Sequence, residues 1–217
     1  MQIRFNKKFL ASVFAGVALL TVAGCSSKSE AQTQSPKTVS RVDVAAALGV
    51  PSGTYALDKT HGYVTFSYLH KGLSNPQLRF NDVDAMIELD AQAPENSQVN
   101  VTIKAASIDS GVAKFDDHLN SPDFFNSAAN PEISFTSTSF VRADVSSGTM
   151  TGDLTMMGMT KAVVFDVVLI GVKEGKDPAI GVEGRTKLLR SDWNLGKYVP
   201  YVGDEVSIVI SAEFHKK

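Results

Sequence analysis

The chain has 217 residues, 43% of them hydrophobic and 20% charged, with a formal net charge of −2 at pH 7. That balance is normal for a globular domain with a sizeable core and argues against intrinsic disorder. The mild acidity leaves no electrostatic footprint for nucleic acid and no basic patch for anionic headgroups.

The first residues read as an export signal. Arg4, Lys7 and Lys8 form a basic head, an apolar run follows from Phe9 to Leu20, and small residues lead to Cys25, the one cysteine. The run is shorter than the roughly 20 apolar residues a permanent membrane helix needs. Val22-Ala23-Gly24-Cys25 has the form of a bacterial lipobox. It predicts that residues 1–24 are removed and that Cys25 becomes an N-terminus carrying diacylglycerol. Acyl chains contribute about 0.8 kcal/mol per buried CH₂, so two or three hold a protein to a membrane almost permanently. Ser26 follows the cysteine rather than Asp. The expected address in a Gram-negative cell is therefore the periplasmic side of the outer membrane. With no second thiol, no internal disulfide can staple the fold, and the core must hold it together.

Residues 25–52 are read as the acylated N-terminus and a flexible linker. Ser26 to Ser40 is small and polar without apolar periodicity. Val42 to Leu48 has the composition of one helical turn, stopped by Gly49, Pro51 and Gly53. The folded domain is placed at 53–217.

From Gly53 onward the pattern has period two. Val64, Phe66, Tyr68 and His70 alternate with Thr65, Ser67 and Leu69. Val99 to Ala105, Ile133 to Ser137, Ile180 to Leu188 and Val206 to Phe214 follow the same rule. Such alternation predicts strands with one dry face. Val163 to Ile170 is apolar on both faces apart from Asp166, which suggests a strand covered on both sides. Turn residues separate the runs, as at Asn75-Pro76, Ser146-Ser147-Gly148 and Gly203-Asp204. Val112, Phe115 and Leu119 have helical spacing, and Ser121-Pro122 offers a cap and a first position for a second turn. The fold class expected is all-β, an antiparallel sandwich or barrel with one or two short helices.

Catalytic signatures are missing: no Gly-x-Ser-x-Gly elbow, no phosphate-binding loop, no His-Glu-x-x-His. His61, His70 and His118 are scattered, and no pair has tight ligand spacing, so no bound metal is expected of them. His215 is read as a solvated tail residue. His70 shares its inward face with Val64, Phe66 and Tyr68. Two readings stand: a polar handle at the end of an apolar pocket, or a His-Tyr hydrogen bond plugging a barrel. Phe124 and Phe125 either cap the core or gate a cavity. Arg190 and Asp192 are expected to pair across a turn while Trp193 closes an end.

The segments Tyr55–His61, Val64–His70, Asp117–Phe125, Pro131–Thr138, Gly152–Lys161, Arg190–Trp193 and Val202–Val206 together resemble the YceI-like family of lipocalin-like, polyisoprenoid-binding bacterial proteins. The lipobox departs from the plain periplasmic form of that family, and Asn194 stands where it commonly has Gly. The resemblance implies an eight-stranded antiparallel barrel, hollow and extended, around a polyisoprenoid, isoprenoid quinone or similar amphiphile. The lipid-contacting residues expected are Phe66, Tyr68, His70, His118, Phe124 and Phe125, with no cofactor and no catalytic residue. A homodimer is an allowed assembly. The competing readings are an envelope structural or stress-response protein with a filled barrel, and an enzyme using a pocket histidine as general base.

The anchor is directly testable. Cys25→Ser should move the protein from the membrane pellet to the soluble fraction; a variant that pellets like the parent would refute the lipoprotein reading.

Overall fold

A computed structural model of the chain describes residues 48–217. The expected signal, Cys25 and the polar linker lie outside the described residues. The elements in order are β1 (Gly53–His70), β2 (Gln77–Phe80), β3 (Val83–Leu89), β4 (Gln98–Lys104), β5 (Ile108–Asp109), α1 (Ala113–Asn120), β6 (Glu132–Arg142), β7 (Ser147–Met156), β8 (Met159–Lys173), β9 (Ala179–Leu189) and β10 (Val202–Lys216). Alternating side chains give each long strand one dry face, and eight such faces close into a ring. Its order is β1-β3-β4-β6-β7-β8-β9-β10, and β10 pairs back onto β1. All pairings are antiparallel. The expected eight-stranded barrel is therefore the observed one, with two short strands added. β2 pairs with β1 at Val64–Ser67 and β5 pairs with β2.

The closing seam is long. It runs from Tyr55 opposite Lys216 to His70 opposite Val202. β10 thus continues to Lys216, so His215 is a strand residue rather than part of a free tail. The seam is interrupted twice: Leu57 faces Phe214 and Gly62 faces Ala212, so residues 58–61 bulge opposite Glu213 alone, and between Tyr68 opposite Val206 and His70 opposite Val202 the register shifts again.

Two apolar clusters fill the ends. One gathers Tyr55, Ile87, Leu89, Ile180 and Phe214, with Val50 packed beneath them. The Tyr55 hydroxyl donates to the Pro51 carbonyl at 2.8 Å, and the Leu48 amide donates to Ala91 at 3.1 Å. Packing thus reaches upstream of Gly53. The second cluster lies toward α1 and includes Leu78, Phe80, Phe125, Phe135 and Phe165. A Cβ at Gly152 would sit 2.3 Å from the Phe135 ring, so only glycine lets that ring cross β7.

β8 differs from its sequence pattern. Val163 and Phe165 are buried, but Val164 is 53% and Ile170 65% exposed. The strand has one dry face, and its outer β-branched residues suit a pleated surface without being covered. β3 alternates strictly, with Val83, Ala85, Ile87 and Leu89 buried against exposed Asp84, Met86 and Glu88. β7 alternates Met150, Leu154 and Met156 with its threonines and Asp153, so both obey the period-two rule although neither is among the runs named from the sequence. Among the described residues α1 is the one α-helix, with Val112 at its N-cap position making no side-chain cap bond and Ser121 at its C-cap. Pro122 opens a turn that does not grow into a second helix.

One buried cation organises the β9–β10 connection. Arg190 is 8% exposed. Its Nε donates to Gly203 O at 2.9 Å, its Nη2 to Val202 O at 2.9 Å, and its Nη1 to Lys197 O at 2.9 Å and to Leu195 O. These bonds fold residues 194–203 back over the barrel end. Asp192, expected to pair with Arg190, instead meets Lys161 Nζ at 3.2 Å. The carboxylate serving this corner is Asp204, whose oxygens accept from the Ser191 amide at 2.9 Å and hydroxyl at 2.6 Å. Those bonds, with Arg190 nearby, hold the Asp204 carboxyl below its ordinary value of 3.8. Asn194 adopts φ 60°, the left-handed region that glycine enters freely and Asn tolerates. Trp193 is 2% exposed beneath this corner.

Two expectations follow. Arg190→Met leaves several carbonyls without their donor and should lower stability by about 3 kcal/mol in chemical denaturation. Because the folded pKa of Asp204 is depressed, its contribution is present above the unfolded value and lost as pH falls through the folded one. Asp204→Asn should therefore be less stable than the parent at neutral pH, by a margin that shrinks below about pH 4.

Candidate functional site

The ring of eight strands encloses a cavity of about 1040 Å³. Small-molecule pockets run from about 300 to 1000 Å³, so this one stands at the upper end of that range. It extends from Phe214 and Leu57 at one end to His70 and Val202 at the other. Along β10 that is roughly 40 Å of strand, or about 30 Å along the axis of a tilted barrel. The walls are aliphatic and aromatic, with Val101, Ile103, Phe135, Phe165, Ile208 and Ile210 among them. Side chains of this size, projected from eight strands, do not meet at the centre, and the interior stays open.

The end near Phe214 is sealed by the Tyr55 cluster. At the other end three segments frame a mouth: the β1–β2 turn at Lys71, the α1 region from Ser110 to Phe125, and the 194–202 loop. Lining residues here are also well exposed, Tyr198 at 49% and Tyr201 at 78%, which places the opening between them. The Lys71 amide donates to Tyr201 O at 3.0 Å, tying two of the segments together. Lys197 pairs with Asp123, joining the loop to the α1 region and holding the Asp123 carboxyl below its usual range.

All six residues expected to contact lipid line this cavity: Phe66, Tyr68, His70, His118, Phe124 and Phe125. They fall into two aromatic groups. Phe66 stacks on Phe80 at 5.5 Å, and Phe80 meets the edge of Phe125 at 5.7 Å. His118 contacts Phe124 at 5.0 Å, and Phe124 contacts Tyr198 at 6.2 Å. Phe125 is buried core, while Phe124 is only half-buried beside the mouth. Among the described residues no hydrogen bond joins Tyr68 to His70, so the pair does not plug the barrel. Burial pushes the Tyr68 phenol up, and it remains a neutral donor and acceptor.

The other histidines lie elsewhere. His61 is exposed on the outer bulge with Nδ1 2.8 Å from Asp58 Oδ2. His215 is also on the outer face, Nε2 3.9 Å from the same oxygen. His61, His70 and His118 thus do not converge. Trp193 does not line the cavity. Sequence reading missed Phe80, Arg190, Tyr198 and Tyr201 as cavity residues. Phe80 lies on a four-residue strand too short to show periodicity, and the tyrosines sit in a loop placed by Arg190, Lys71 and Asp123, partners distant in sequence.

Comparison with known proteins agrees with this geometry. The profile of the YceI-like domain matches residues 55–214. A UPF0312 protein of Azotobacter vinelandii is 39% identical over 165 residues, which cover 73% of this chain and 85% of that protein. The crystal structure of a Campylobacter jejuni YceI protein is 31% identical, with a TM-score of 0.63, over 67% of this chain and 87% of that one. A polyisoprenoid-binding domain from Saccharophagus degradans, 12% identical, shares the fold at a TM-score of 0.58 over 75% of this chain and 98% of its own. An eight-stranded hollow barrel with this strand order, matched over most of its length by that profile and by those relatives, makes the chain a member of the YceI-like family.

Proposed function

We propose that this protein is a non-catalytic lipid-binding module that holds one long isoprenoid, isoprenoid quinone or similar amphiphile. In this reading it is tethered through acylated Cys25 to the periplasmic side of the outer membrane. The observation that carries the reading is the 1040 Å³ cavity with largely apolar walls and with Tyr68, His70, Lys71, His118, Arg190, Tyr198 and Tyr201 at one mouth. The Saccharophagus degradans domain that shares the fold is described as polyisoprenoid-binding, which supports the same ligand class. Apolar walls add about 0.8 kcal/mol per buried CH₂ and discriminate little among chains. Headgroup preference then falls to Tyr68, His70 and His118 near the opening.

The competing readings have less support. An open interior of this size speaks against a barrel filled for purely structural use. A general base needs a reacting partner within hydrogen-bond reach. Among the described residues neither the His70 nor the His118 ring has a hydrogen-bonded carboxylate or nucleophile.

Native mass spectrometry after gentle purification is the test. The expected result is a single bound amphiphile, with affinity falling gradually as the chain is shortened. Val101→Trp, which projects an indole into the lumen, should weaken binding more than tenfold in a folded barrel. A protein that emerges empty and takes up no isoprenoid, quinone or fatty amphiphile would refute the carrier reading.

A further inference from the structure

The bulge at residues 58–61 in the closing seam gathers chemistry on the outside of the barrel. Leu57 and Gly62 on β1, and Ala212 and Phe214 on β10, line the cavity wall. By strand alternation Asp58, Glu213 and His215 stand on the opposite, outer face. There each offers one ligand atom, and these atoms all lie within 4.8 Å of one another. His215 Nε2 is 3.9 Å from Asp58 Oδ2. His61 Nδ1 lies 2.8 Å from that same oxygen. The other Asp58 oxygen accepts from the Thr60 amide at 2.8 Å and hydroxyl at 2.7 Å. One carboxylate is thus held in place by its own bulge while an imidazole and a second carboxylate face it from the neighbouring strand.

We propose that this cluster binds a divalent transition-metal ion of zinc's class. Asp58, Glu213 and His215 are its ligands, His61 is a positioning residue hydrogen-bonded to Asp58, and water completes the shell. The donor set is the first argument. Imidazole nitrogen with carboxylate oxygen suits zinc, whereas calcium takes six to eight oxygens and magnesium a near-octahedral oxygen shell. Distance is the second. Zinc bonds of about 2.0–2.2 Å set tetrahedral ligand atoms roughly 3.4 Å apart, a contraction within reach of small side-chain rotations from the present spacing. Orientation of the carboxylate is the third, because a ligating carboxylate is commonly fixed by its own hydrogen bonds, as Thr60 at Oδ1 and His61 at Oδ2 fix Asp58. The ion would clip the bulge of β1 to β10 where the ladder between them is broken. It would strengthen barrel closure by mass action, and it would do so independently of the cavity. No local sequence motif announces the site, because Asp58 and His215 lie at opposite ends of the domain.

The test uses the full chain carrying Cys25→Ser and no histidine tag, titrated with zinc chloride by calorimetry. The expected result is one saturable equivalent with a Kd tighter than about 100 μM. A 100-fold excess over Kd should raise Tm by about 5–10 °C. Amide exchange should slow on both sides of the bulge, at residues 56–62 and 212–216. His215→Ala and Glu213→Gln should each weaken binding more than tenfold, and His61→Ala should weaken it by about tenfold while keeping one equivalent. Circular dichroism checks that the variants fold; the titration and exchange of the parent decide the matter if they do not. Absence of saturable zinc binding, or binding that survives both ligand substitutions, would overturn the proposal.

Discussion

Closure of the first strand onto the last is the constraint on which this molecule rests. β1 and β10 are the ends of the domain in sequence, and the barrel exists only once they meet. Loop-closure entropy opposes that meeting, though it grows only slowly with length. What offsets it is a seam extending almost the full length of both strands and the apolar faces that closure removes from water. A closed ring also leaves no long exposed edge to recruit another chain. The cavity depends on the same closure: eight strands enclose an interior that side chains can fill or that can hold one ligand, and here it stays open.

Each end of the ring is finished differently. At one end Tyr55, Leu89, Ile180 and Phe214 pack solid, and Val50 adds to the seal. At the other end the fold spends a buried charge instead of apolar mass. Arg190 satisfies four carbonyls, those of Leu195 and Lys197 in the irregular loop and of Val202 and Gly203 at the start of β10. The consequence is a shaped opening rather than a plug. Tyr198 and Tyr201 are carried on that loop, and Phe124 and His118 face it from the α1 region. A ligand with an apolar chain and a small polar head matches this division between a dry barrel and a polar rim.

The same seam generates two surfaces with separate chemistry. Its inner face, with Leu57 and Phe214, belongs to the cavity wall. Its outer face, at the bulge, carries Asp58, Glu213 and His215. Strand alternation keeps them apart even though the residues are neighbours in sequence. Events at the outer cluster can therefore bear on the integrity of the barrel without occupying the lumen.

Much of this was legible from the chain alone. Period two in Val64–His70, Ile180–Leu188 and Val206–Phe214 set the inward faces, because alternation is a local property of the backbone. The inward placement of Phe66, Tyr68 and His70 followed from it, and the order of the matching segments pointed to the barrel. Other features depended on partners distant in sequence. Arg190 chose carbonyls across a loop over the adjacent Asp192, since several fixed acceptors in a buried corner outweigh one solvated carboxylate. The outer face of β8 stayed wet because, among the described residues, no further layer of the fold lies over it. The grouping of Asp58 with His215 required the ends of the domain to be joined. Periodicity determined which way each side chain points; only closure decided what each one meets, because contact between distant residues is a property of the ring and of no single strand.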